Sequence, residues 1–241
     1  MTYFADLHMH ALYGVDDGAK TKEDMFAMVA AAYADGTRYL CVTPHFHPGY
    51  FPHSTREHTE LVFQQLQGYV AAHKPDMHLA IGNELRYSKD CISWLNDGLC
   101  RTLNGTDYVL VDFLENEDAS DIVKGLDQLL NAGYIPVLAH CERYRKLSRN
   151  LKELKHFADN GVLLQMNMQS VTGQNGFFNK EHCKRILKAN LVDFIASDGH
   201  NLATRPPAVQ PAYMVIEKIL GSTMAEILCF GHAAQLLWNT N

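Results

Sequence analysis

The chain has no long apolar run, no cluster of basic residues and no paired-cysteine motif, and each absence removes a class of protein. No segment approaches the ~18 uninterrupted apolar residues of a membrane span, and the first residues lack the basic-then-apolar pattern of a secretory signal. The expectation is a cytoplasmic protein with no direct membrane insertion. Lysines and arginines are dispersed and the formal net charge is -6. A sequence-independent nucleic-acid or anionic-membrane surface needs charge of the opposite sign, so no nucleic-acid partner is expected. The six cysteines, Cys41, Cys91, Cys100, Cys141, Cys183 and Cys229, stand singly. Neither a disulfide framework nor a zinc ribbon is indicated by that spacing. Internal repeats, low-complexity tracts and Pro/Ser-rich linkers are also missing, so residues 1–241 read as a single domain. No surface stripe announces an interface, which leaves the oligomeric state unassigned.

What the chain does have is apolar content, 47% of its residues, arranged in two alternating patterns. Seven short runs of strand character, Tyr3–His8, Tyr39–Thr43, His78–Glu84, Tyr108–Asp112, Ile135–His140, Val162–Asn167 and Phe194–Ser197, are expected, and all but His78–Glu84 are followed by longer helical stretches. The helices are expected near 22–35, 55–73, 120–132, 150–160, 180–189 and 210–220, with a closing helical segment Ser222–Trp238 broken at Phe230-Gly231-His232. Strands alternating with helices indicate βα units and a parallel sheet, and the length suits a barrel-type α/β fold. The first helix carries ordinary signals: Thr21 as N-cap with acids behind it, an apolar stripe of Met25, Met28, Val29, Ala32 and Tyr33, and Asp35-Gly36 as its stop. That stripe is core packing.

Chemistry collects at the strand ends. Asp6-Leu7-His8-Met9-His10 places two imidazoles one residue apart on an extended segment, where side chains of alternate residues share a face. Buried together without a partner they would be costly, so they ask for a carboxylate, a backbone acceptor or a metal ion. Five further runs end in potential ligands: Thr43-Pro44-His45, Gly82-Asn83-Glu84, Val111-Asp112, Ala139-His140 and Ser197-Asp198-Gly199-His200, with the Asp16-Asp17-Gly18 turn close behind the first. In a parallel barrel the C-terminal strand ends converge on one face. Any one of these residues taken alone reads more readily as a structural histidine or a helix cap than as a ligand, but six agreeing strand ends point to a multinuclear centre. Mixed imidazole and carboxylate shells suit Mn, Fe or Zn, and clustered ions activate water and clamp phosphoryl groups. Arg143 and Arg205 follow two of the ligand-bearing runs, and a guanidinium fork suits either a phosphate or a salt bridge.

The pattern Asp-x-His-x-His, Asp-Asp-Gly-Ala-Lys-Thr, Thr-Pro-His, Gly-x-Glu, Ala-His-x-Glu-Arg-Tyr and Ala-Ser-Asp-x-His-Asn-x-x-x-Arg-Pro-Pro, spread over Asp6 to Pro207, resembles the PHP superfamily. Within it the chain is similar to the bacterial manganese-dependent protein-tyrosine phosphatases of the CpsB/YwqE type, linked to capsule and exopolysaccharide synthesis. The resemblance implies a distorted (β/α)7 TIM-like barrel holding three divalent ions, Mn2+ with Fe or Zn as alternatives. It implies His8, His10, Asp17, His45, Glu84, Asp112, His140, Asp198 and His200 as ligands, with Glu84 bridging two ions. Arg143, Arg205, His45 and Glu84 would be the catalytic set, and the substrate would be the phosphotyrosine tail of a cognate bacterial tyrosine kinase. A small-molecule phosphomonoesterase such as a histidinol-phosphate phosphatase is the alternative. Asp112 stands where the family usually has Glu, one methylene longer. No cysteine nucleophile is expected, because none of the six has Arg six positions later; Cys141, beside His140, has Leu147 there.

Overall fold

The structure, a computed structural model, describes residues 3–239. Its strands pair in parallel to make a curled sheet in two parts. The first joins β1 (Phe4–Met9), β2 (Thr37–Val42) and β4 (His78–Ile81) in the order β1-β2-β4. The second joins β3 (His45–Phe46), β5 (Glu84–Arg86), β6 (Tyr108–Asp112), β7 (Ile135–Leu138), β8 (Leu163–Asn167) and β9 (Phe194–Ala196) in that order. The last strand returns to the first: the Asp198 amide donates to the His8 carbonyl (2.9 Å) and the His10 amide to the Gly199 carbonyl (2.9 Å). The N- and C-terminal ligand-bearing segments are thereby stitched together.

Two expected strands are divided. The run His78–Glu84 becomes β4 and β5 in different parts of the sheet, and β3 continues β2 beyond Thr43-Pro44. Pro44 has no N–H to give to a ladder. Opposite it, Asn83 supplies side-chain bonds in place of backbone ones, donating from Nδ2 to the Pro44 carbonyl (3.1 Å) and accepting the Arg101 amide at Oδ1 (2.8 Å). The double kink carries His45 and Glu84 past the end of the first sheet, where they pair in register.

Helices cover the sheet: α1 (Lys22–Asp35), α2 (Arg56–His73), α3 (Cys91–Asn96), α4 (Ala119–Asn131), α5 (Arg145–Ser148), α6 (Leu151–Asp159), α7 (Met168–Thr172), α8 (Phe177–Lys188), α9 (Gln210–Leu220), α10 (Ser222–Glu226) and α11 (His232–Trp238). The α1 signals operate as expected. Thr21 and Asp24 form a reciprocal capping box, Gly36 ends the helix at φ 112°, and Met25, Met28, Val29 and Ala32 are buried. Full burial of each Met or Val side chain contributes about 1.5–3 kcal/mol. Tyr33 stays part-exposed and donates its hydroxyl to Asp76 (2.6 Å).

The expected break at Phe230-Gly231-His232 is not one. Gly231 is helical (φ -55°, ψ -53°), and a π turn over Ile227–Gly231 joins α10 to α11 without interruption. The extra residue of a π turn resets the helical phase. Leu228 and Cys229 within it and Ala233, Ala234 and Leu237 after it are consequently all buried. All six cysteines are free and buried.

Candidate metal centre

Five histidines and three carboxylates, His8, His10, His45, His140, His200, Glu84, Asp112 and Asp198, are buried together at the C-terminal ends of the strands, with Asp17 half-exposed at the rim. Local backbone makes this possible. His140 and Asp198 both take left-handed conformations (φ 36° and 49°), turning their side chains inward just beyond β7 and β9. Such strain in non-glycine residues is kept where surrounding structure enforces it. Gly18 is needed for a different reason: a Cβ there would lie 2.0 Å from the His10 carbonyl oxygen.

Three imidazoles are held in one tautomer by acceptors behind them. His10 Nδ1 donates to Asp16 Oδ2 (2.8 Å), His200 Nδ1 to the Asp198 carbonyl (2.9 Å) and His8 Nδ1 to Gln165 Oε1 (3.0 Å). Gln165 Oε1 also accepts the His140 amide (2.8 Å), which fixes the side-chain amide's orientation. Each ring therefore presents an unprotonated Nε2 inward, the arrangement that metal-ligating histidines adopt. His8 Nε2 and His10 Nε2 are 3.1 Å apart, and two lone pairs at that distance require a cation between them.

Without an ion the cation is a proton. Burial opposes charging His8, but Glu84 and Asp198 outweigh it and raise its pKa to about 9. His45 is likewise penalised by burial and raised to about 10, mainly by Glu84. Burial and Arg143 lower His140 to about 4, and burial and His10 lower His200 to about 4. Burial would raise the Glu84 carboxyl, yet His8 and His45 hold it well below the ordinary range.

Several ligand atoms lack hydrogen bonds although buried: His45 Nδ1, which approaches Glu84 Oε2 (2.9 Å) off the bonding direction, Asp198 Oδ1, and His200 Nε2, 3.3 Å from Asp17 Oδ1. Buried polar atoms are ordinarily satisfied. Ligand atoms gather within 4.8 Å of one another in three groups: His10, Asp17, His45 and His200; His8, His10 and Asp198; and His45, Glu84 and Asp112. His140 joins through Glu84 Oε1, 2.8 Å from its Nε2. The donor set, the enforced tautomers and the unsatisfied atoms all fit divalent ions.

Arg143, from the short turn Cys141–Arg143, and Arg205 both reach Asp198 Oδ2 (3.0 and 2.5 Å), and their side chains remain 25% and 31% exposed. Of the two readings left open for these arginines, the salt bridge is made, and its partner is Asp198 for both. A cleft of about 360 Å3 opens beside Asp17 and His200, walled by Ala19, Met28 and Leu202.

Sequence reasoning missed the residues behind the ligands. Gln165 Nε2 donates to Asn167 Oδ1 (2.8 Å), and Asn167 Nδ2 to Asp198 Oδ2 (2.7 Å), so one face of β8 wires His8, His140 and Asp198 together. The signal was the alternation Gln165-Met166-Asn167 at a strand end, overlooked because neither amide is a usual metal ligand. Asp16 was visible only as part of a turn.

This architecture and ligand set have counterparts among known proteins. Residues 4–238 match the family model described as capsular polysaccharide synthesis, CpsB/CapC. The chain belongs to the CpsB/CapC family. It is 34% identical to the tyrosine-protein phosphatase CpsB of Streptococcus pneumoniae over 228 residues, covering 92% of this chain and 93% of that protein. It is 33% identical to the tyrosine-protein phosphatase YwqE of Bacillus subtilis over 226 residues, covering 92% of this chain and 87% of the relative. A chain from the crystal structures of YwqE and CpsB, described as metal-dependent tyrosine phosphatases, superposes on the fold with a TM-score of 0.89 at 32% identity, over 98% of this chain and 95% of that one. A histidinol phosphate phosphatase from Lactococcus lactis, solved with zinc, L-histidinol and phosphate, shares the fold at a TM-score of 0.59 but only 16% identity, over 91% of this chain and 95% of that one. No helix among the described residues is long and apolar enough to cross a membrane.

Proposed function

We propose that this CpsB/CapC-family chain is a metal-dependent tyrosine-protein phosphatase whose centre is built from His8, His10, Asp17, His45, Glu84, Asp112, His140, Asp198 and His200. The observation that carries the reading is the meeting of these ligand atoms beneath two part-exposed guanidinium groups, Arg143 and Arg205. The sheet is taken as a distorted seven-position barrel in which β2–β3 and β4–β5 are kinked single strands, and the chain as one domain. Divalent ions, manganese first among them, supply a water acidic enough to attack phosphorus near neutral pH and neutralise charge on the phosphoryl oxygens.

The chain's own groups do the rest. Arg143 and Arg205 each spend a terminal nitrogen on Asp198 and keep other N–H donors for the equatorial phosphate oxygens. Asp198 holds both guanidinium groups over the cluster and is in turn held by Asn167. Glu84, reached by His8, His10, His45 and His140, sits at the middle of the ligand set. The cleft beside Asp17 and His200 admits an aryl side chain, and its part-apolar wall suits a phenol ring. No cysteine takes part: burial pushes the Cys141 thiol well above its usual range, where it cannot supply the thiolate a nucleophile needs. The substrate assigned is the phosphotyrosine tail of a cognate kinase controlling capsule or exopolysaccharide export, in the cytoplasm.

The test is phosphate release from a phosphotyrosine peptide and from histidinol phosphate by metal-stripped protein, restored with Mn, Zn or Mg. Peptide turnover that needs added metal, survives thiol alkylation and falls at least ~100-fold in His45→Ala is expected. Preference for histidinol phosphate would replace the reading.

A further inference from the structure

Arg86 is a third guanidinium at the centre, and nothing in the reaction above uses it. It lies two residues after Glu84 on β5, hence on the same face of the strand, and pairs in register with Asp112 of β6. Its fork is bidentate: Nε donates to Asp112 Oδ1 (3.0 Å) and Nη2 lies 2.7 Å from Asp112 Oδ2. Both oxygens of Asp112 are therefore engaged, and the Asp112 side chain is only 3% exposed. Asp198 is different, because its Oδ1 is left without a hydrogen bond and faces His8 and His10.

An ion among His45, Glu84 and Asp112 would share Asp112 with a guanidinium already seated on it. Two positive charges on one buried carboxylate repel more strongly than they would in water, and an ion would have to share oxygens on which the fork already occupies one lone pair each. Asp112 is also one methylene shorter than glutamate, so it has less reach to serve both.

We infer that Arg86 is a built-in cation that competes with a metal ion for Asp112, so that this chain holds its His45–Glu84–Asp112 position weakly and retains fewer than three divalent ions. The inference rests on the metal-centre reading and alters its stoichiometry. Arg86 is a positioning residue: its fixed charge offsets Asp112 and Glu84 where an exchangeable ion would otherwise be required.

The experiment counts metal rather than turnover. Full-length wild type, Arg86→Met and Asp112→Asn are loaded with Mn2+, dialysed against metal-free buffer and analysed by inductively coupled plasma mass spectrometry. Isothermal titration of the stripped proteins with Mn2+ and circular dichroism accompany each. The expected result is one more retained ion per chain in Arg86→Met than in wild type, or a weakest site tightened at least ~10-fold, with the Asp112→Asn count equal to wild type. Three retained ions in wild type, no gain in a folded Arg86→Met, or one ion lost in Asp112→Asn would each overturn the inference while leaving the metal centre standing. Retention of no ion by any of the three would overturn the metal reading as well. Should Arg86→Met fail to fold, the wild-type and Asp112→Asn counts decide alone.

Discussion

Asp198 and Asp112 are both buried carboxylates at strand ends, both paired with arginine, yet they keep different amounts of their chemistry free. Asp198 gives one oxygen to Arg143, Arg205 and Asn167 and leaves the other 3.4 Å from His8 Nε2 and 3.6 Å from His10 Nε2. Asp112 gives both oxygens to Arg86. Carboxylates at strand ends therefore differ in how much of their hydrogen-bonding capacity stays open to the cluster.

The largest effect that tests this contrast comes from the two amides. Asp198→Asn is expected to lower manganese affinity and phosphotyrosine hydrolysis at least ~100-fold, since it removes a ligand oxygen and the anchor of two arginines. Asp112→Asn is expected to change affinity less than ~10-fold. Equal losses in calorimetric titration would break the comparison.

Gln165→Leu should fall between the two. The side chain touches no ligand oxygen, but it holds the His8 tautomer and the His140 backbone, and losing such a partner costs about 10- to 100-fold in metal affinity. A Gln165→Glu protein keeps the acceptor and should recover most of that loss. If Gln165→Leu binds manganese as the wild type does, the amide chain of β8 is packing only.

The smallest effect is on stability against pH, measured by thermal melting of the metal-stripped protein. His8 and His45, raised to about 9 and about 10 from an ordinary ~6.5, contribute stability fully present below ~6.5 and lost as pH rises through their folded values. Glu84 and Asp198, depressed in the fold, contribute above ~4.5 and lose it as pH falls through their folded values. Asp112, raised to about 7 by burial and Glu84, adds a further decline between ~4 and 7. His140 and His200, lowered to about 4, contribute above ~6.5 and lose it as pH falls through their folded values, so the stripped protein should melt highest near pH 6–7 and progressively lower towards pH 9. A melting temperature that rises over pH 6.5–9 would show that the histidines are not charged in the absence of metal.

Much of the centre was legible because it is written in strand periodicity and in residue type. His8 and His10 had to share a face, and His45, Glu84, His140 and Asp198 each stand at the end of an apolar run. The supporting bonds were less legible. Asp16, Gln165, Asn167 and Arg86 act through partners 6 to 157 residues away, and sequence spacing says nothing about such distances. The divided strand at Gly82-Asn83 was missed for a local reason, since Asn83 replaces ladder bonds with side-chain ones. The unbroken helix through Gly231 was missed because glycine is equally permitted in a turn and in a helix, and burial on the sheet chose the helix.

By itself the sequence determined the α/β alternation, the end of the strands where chemistry collects, and the residue types that gather there, because period-two burial and residue chemistry are local properties. Only the tertiary structure decided which lone pairs remain free. Asp198 and Asp112 look alike in one dimension, and the difference between them is the placement of Arg143 and Arg205 on one oxygen and of Arg86 on two.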